Sequence, residues 1–164
     1  MMRILRPMLA EGDGLPRKGK GSKLLGIRES DVRLEEDGYI KLKSGGLSIA
    51  TSISGLLNLP IYLTPFDPFG KLDEKQHSIF ADKNFFLFQV KPKNDSAFWV
   101  GKPVAKGVVL RSKGHAKELG YLGPISSMNL NEFRSAIEAT RPQWEIVDWQ
   151  QAEKILEEAP QDGF

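Results

Sequence analysis

With 164 residues, 40% of them apolar and 27% charged, the chain is long enough for one compact domain and too apolar for a disordered one. A net charge of +2 argues against a strong field for nucleic acid or a membrane surface, and no apolar run approaches the roughly 18 residues of a spanning helix. Cysteine is absent, which excludes disulfides, thiolate metal sites and cysteine nucleophiles, and two histidines, His77 and His115, are too few for a multi-histidine zinc site.

The N-terminus has a basic residue but too short an apolar stretch for a signal peptide, so a leaderless cytoplasmic protein is expected. Residues 3–9 read as a strand that Pro7 ends or confines to a sheet edge. Residues 10–23 are Gly-rich and basic and read as a mobile loop, followed by an apolar patch over 24–27. Strand pieces are expected over 31–34 and 39–42, around a solvated turn at Glu36-Asp37-Gly38. Gly45-Gly46 then breaks the alternation ahead of a small, hydroxyl-bearing segment that holds Ser48. Glycines there let a ligand approach the backbone closely, although Gly-Gly is also an ordinary turn signal. Helical turns are expected over 52–59 and an irregular, proline-rich aromatic loop over 58–76.

Residues 85–90, FFLFQV, form the strongest strand, continuous and aromatic as a central strand is. Further strands are expected over 97–100 and 107–111, with a short one over 120–122. Asn129 with Glu132 makes a capping-box-like start to a helix whose apolar stripe is Leu130, Phe133 and Ile137, and Pro142 ends it. Asp148 with Gln151 repeats that logic for a second helix to about residue 158. Strands first and helices last give an α+β order, with one domain over 1–159 and a frayed tail over 160–164.

Few motifs carry chemistry. Residues 14–21 nearly spell a phosphate-binding loop, but Gly21 stands where a Ser or Thr must reach Mg²⁺, so a plain basic loop is the simpler reading. His115 follows Gly114, where it could donate to a ligand or move a proton, or be a surface histidine with no task. No Gly-x-Ser-x-Gly elbow is present. Trp99, Trp144 and Trp149 read as packing residues, and without a basic stripe around them no nucleic-acid partner is expected.

Three segments together resemble a family. They are Leu5-Arg6 with Glu11-Gly12-Asp13-Gly14-Leu15-Pro16; Asp37-Gly38 through Gly45-Gly46-Leu47-Ser48-Ile49; and His115 through Gly120-Tyr121-Leu122-Gly123-Pro124 to Met128 and its helix. With Leu25-Gly26-Ile27-Arg28 they look like small bacterial single-domain proteins and, more distantly, the type VI secretion effector two toxins of ADP-ribosyltransferase-like fold. The resemblance implies an α+β fold of two packed, mostly antiparallel sheets with flanking helices and a cleft between the sheets. It implies a toxin-like enzyme using NAD as donor substrate, with Arg6 and Ser48 binding the dinucleotide and His115 as the catalytic base. A protein or small-molecule acceptor, an immunity-type protein partner and delivery to a target cell belong to the same expectation. One departure stands out: Glu118 does not sit in a Gln/Glu-x-Glu pair, where the late catalytic Glu of transferases is found. That departure favours the alternative of a non-catalytic partner-binding or immunity-like module on the same scaffold, with residues 59–69 as its surface.

Overall fold

The computed structural model describes residues 3–52, 55, 85–91, 102–114 and 116–147. Its strands are β1 (Leu5–Leu9), β2 (Leu47–Ala50), β3 (Phe85–Val90), β4 (Pro103–Ala105), β5 (Val108–Lys113), β6 (Ala116–Pro124) and β7 (Trp144–Ile146). The helix α1 (Leu130–Ala139) lies between β6 and β7, and short 3-10 turns cover Glu29–Asp31 and Arg141–Gln143. The strand order is β4-β5-β6-β2-β1-β3-β7, and every pairing is antiparallel. The α+β class and the antiparallel pairing agree with the sequence reading. Among the described residues there is one seven-stranded sheet where two packed sheets are expected.

That sheet has a seam. β1 matches β3 over five register pairs from Leu5↔Gln89 to Leu9↔Phe85, but meets β2 only at Leu5↔Ala50. Proline explains the difference. The carbonyl of Ile4 accepts from Val90 N, so even-numbered residues of β1 turn their backbone groups toward β3 and odd-numbered ones toward β2. Continuing Leu5↔Ala50 by two residues brings Pro7 opposite Ser48. The N–H that Pro7 lacks is therefore a β2-side donor, and the β3 ladder does not need it. Consequently Pro7 sits inside the sheet, not on the edge expected for it.

One face of the sheet carries the main core cluster, Met8, Leu47, Ile49, Phe88, Leu110 and Leu122, closed by Phe133 and Ile137 of α1 and by Trp144, while Leu5, Ala50, Leu87 and Leu119 are buried on the other face. Trp144 is fully buried and satisfies its indole by donating to Thr140 Oγ1 at 3.0 Å, while that hydroxyl donates to Ile137 O at 2.6 Å. The helix starts as expected: Asn129 Oδ1 accepts from Glu132 N at 2.8 Å, and Asn129 Nδ2 donates to Glu132 Oε1 at 2.7 Å.

Other expectations change. A strand of nine residues, β6, replaces the short one over 120–122. The pieces at 31–34 and 39–42 shrink to an isolated bridge, Leu34↔Ile40, and Tyr39 bridges to Asn129 instead. Gly45 and Gly46 are required by the chain itself. Gly45 has φ +146°, a Cβ there would strike Asp31 O, and one on Gly46 would strike Leu122 O. The close approach expected of a ligand is made by backbone. The readings of 58–76, 97–100, the helix after Asp148, the tail, His77, Trp99 and Trp149 lie outside the described residues, as does most of 52–59.

The Asn129→Ala substitution should lower unfolding stability by about 1 kcal/mol, since it orphans a first-turn N–H of α1. A urea titration reads this as a shifted midpoint with an unchanged slope.

Candidate functional site

Arg6 sits at the seam. Its guanidinium is buried and donates Nη1 to Ser48 O at 2.8 Å and Nη2 to Ser22 O and Leu24 O, both at 3.0 Å, with a longer approach of 3.5 Å to Gly21 O. Nη1 thus supplies to Ser48 O the hydrogen bond that Pro7 cannot give. Burial is the main cause that lowers the Arg6 pKa from its ordinary value to about 10, Asp31 opposes it, and Arg28 adds to it. At neutral pH the side chain is still charged, and what faces the charge is mostly carbonyl dipoles.

The loop after β1 is fastened, where a mobile one is expected. Leu9 N donates to Lys23 O, Arg17 N to Leu9 O and Leu25 N to Arg17 O, each at 2.8 Å. Residues 17–25 therefore take the β1 backbone positions that β2 leaves unpaired. At the loop's start Arg141 grips both oxygens of Asp13 at 2.9 Å and donates Nε to Pro16 O at 2.7 Å. Leu25 and Ile27 are buried behind this strap.

Arg6 and Ser48 meet, but not side chain to side chain. Arg6 shares the core face with Met8 and Phe88, whereas Ser48 stands in register with Tyr121, which is itself in register with Arg111. Residues opposite one another across a ladder project to the same face. Ser48, Tyr121 and Arg111 thus form a row over β2, β6 and β5 on the other face. His115 lies outside the described residues. Of the residues beside it in sequence, Gly114 has φ 63° and Ala116 is in register with Lys113.

Glu118, outside the strand expected over 120–122, lies in β6 with φ 65°, an uncommon conformation for a residue with a side chain. Its carbonyl accepts from Thr51 N at 2.9 Å, and a Cβ on Gly55 would strike it. A shallow depression of about 560 Å³ is lined by Glu29, Ser30, Val32 and Leu34, none of them a residue singled out from sequence. No group of three or more metal-ligating His, Cys, Asp or Glu side chains occurs, and no helix is long and apolar enough to cross a membrane, among the described residues. Sequence reasoning reached Ser48 through the Gly-Gly kink. It missed Tyr121 and Arg111 as its partners, because register alone unites them. Comparison with family models, curated proteins and solved structures finds no match for this chain.

Replacing Arg6 by Met should cost roughly 2–5 kcal/mol. Hydrogen bonds to a charged group contribute about 1.5–3 kcal/mol each, which outweighs the roughly 3 kcal/mol recovered by removing a buried charge. Limited trypsinolysis should then cut faster at Arg17, Lys18, Lys20 and Lys23; an unchanged cleavage rate would show that the strap holds without the guanidinium. A second check uses acid. Hydrogen bonds from Arg141, then from Leu15 N–H, hold the Asp13 carboxyl below its ordinary 3.8. Such a group stabilises the fold above 3.8 and stops doing so as pH falls through its depressed value. The Asp13→Asn variant should lose that part of the acid dependence in a pH-resolved melt.

Proposed function

We propose that the chain is a toxin-like modifying enzyme that takes NAD as donor substrate, with the dinucleotide entering where the sheet parts beside Arg6 and Ser48. The observation that carries this reading is the one-pair contact between β1 and β2. It divides the sheet into β1-β3-β7 and β4-β5-β6-β2, joined where Arg6 Nη1 meets Ser48 O. A cleft between two sheets, with a first-strand arginine and a second-motif serine at it, is what the family resemblance implies. An ADP-ribosyltransferase-like fold is part of the same proposal.

In the reaction the bond between the nicotinamide nitrogen and the ribose carbon breaks, and nicotinamide leaves with the electron pair. The acceptor nucleophile bonds to the oxocarbenium-like carbon and gives its proton to a base, for which His115 is the nominee. Arg6 would exchange the carbonyls of residues 21–24 for pyrophosphate oxygens, a stronger pairing for a guanidinium. The acceptor is a protein or small molecule, and delivery to a target cell belongs to the same reading.

One observation favours a second reading. Both terminal nitrogens of Arg6 are already bonded to backbone carbonyls, as in a scaffold that keeps the residue for structure. On that view the chain is a partner-binding or immunity-like module, and the exposed Leu34, Tyr39 and Leu42 contribute apolar contact.

Calorimetric titration with NAD separates the two. The enzyme reading expects binding by the folded chain at or below millimolar NAD, weakened about tenfold, or 1.4 kcal/mol, in Ser48→Ala. No heat of binding from a folded sample leaves the partner-binding module as the function.

A further inference from the structure

We infer that Ser48, Tyr121 and Arg111 form an oxyanion-binding row, suited to a phosphate or pyrophosphate group, on the sheet face opposite Arg6. The row goes beyond the proposed function, in which Arg6 meets the pyrophosphate of NAD from the other face, and it stands independently of that reading.

The row comes from two registers, Ser48↔Tyr121 and Arg111↔Tyr121. Three adjacent antiparallel strands set their side chains at steps of about 5 Å, so the ends of the row stand roughly 10 Å apart. That span accommodates a pyrophosphate between a hydroxyl at one end and a guanidinium at the other. The donors suit an anion: one cation and two hydroxyls, with no carboxylate among the three.

Arg111 has capacity to spare. Its Nη2 donates to Pro124 O at 3.1 Å, which anchors the fork, while its buried Nε–H meets no acceptor. A buried donor without a partner is uncommon in a folded protein and calls for an explanation at a site. The remaining guanidinium hydrogens form the planar fork that matches phosphate oxygens. Arg6 also has a buried Nε without an acceptor, but its two terminal nitrogens are committed to backbone through three hydrogen bonds of 3.0 Å or shorter, whereas Arg111 commits only Nη2.

Tyr121 is fixed between the two ends. A Cβ on Gly46 would stand 3.1 Å from Tyr121 Cδ2, and one on Gly123 would stand 3.0 Å from Cε2. The edge of the ring therefore rests over two glycines, which any larger residue would disturb. Burial raises the phenol's pKa and the nearby Arg111 lowers it, so the hydroxyl and the guanidinium lie within electrostatic reach while the phenol keeps its proton to donate.

The test titrates inorganic pyrophosphate, and separately NAD, into the full chain and into Arg111→Gln, Arg111→Lys and Tyr121→Phe, each checked for folding by its thermal melt. Pyrophosphate affinity should fall about tenfold or more in Arg111→Gln, by less in Arg111→Lys, which keeps charge without the fork, and a few-fold in Tyr121→Phe. A wild-type chain that binds no pyrophosphate, or a folded Arg111→Gln that binds it as well as wild type, overturns the row. NAD binding that survives Arg111→Gln while pyrophosphate binding is lost keeps both the row and the NAD reading, with Arg6 on the dinucleotide. Pyrophosphate binding that depends on Arg111, without any NAD binding, keeps the row and removes that reading.

Discussion

A single guanidinium holds together the part of the molecule where the sheet is weakest. Pro7 deprives β2 of one ladder donor, and the gap this opens has to be closed by something with several hydrogen-bond donors and long reach. Arg6, the preceding residue, meets that requirement from the core side of the same strand. It bonds to one carbonyl of β2 and to carbonyls of the strap, so that strand, strap and neighbouring strand share one anchor. The cost is a buried charge, seen in the depressed pKa of the side chain. The carbonyl dipoles offset that cost, and the buried Leu25 and Ile27 behind the strap depend on the arrangement.

How much of this could be read from the sequence depends on how local each signal is. The strand Phe85–Val90 and the helix after Asn129 are legible because their information is local: a continuous apolar run, and a capping side chain three residues from its partner. β6 is not, because Gly120, Gly123, Pro124 and the Lys117-Glu118 pair are poor strand formers, and its pairing with β2 and β5 decides its conformation. Pro7 misleads because a proline is harmless on whichever side of a strand has no ladder to complete, and sequence does not tell the sides apart. Arg6 and Ser48 are legible as residues worth attention. Their projection to opposite faces follows from strand register, which no spacing in the chain reveals.

The two faces of the sheet are therefore not equivalent chemically. On one, the arginine is committed to backbone and surrounded by aliphatic and aromatic side chains. On the other, a hydroxyl, a phenol and a second guanidinium lie in a line across three strands. The glycines at 45, 46 and 123 serve this layout by letting backbone and the Tyr121 ring come close to the strands, which is a steric requirement and not a catalytic one.

The distribution of pairings along the chain has a kinetic consequence. β5 and β6 are joined by a short connection and lead directly into α1, so their contacts close small loops. β1 finds β3 about eighty residues away, Arg6 against Phe88, and such closure carries a larger entropic cost before any contact rewards it. We expect the hairpin and helix to assemble early and the N-terminal strand to dock late. Mutational φ-values near zero in β1 and high in β5–β6 would fit this order, and the reverse pattern would refute it. The strap would then close over the seam as the last part of the described fold to become ordered.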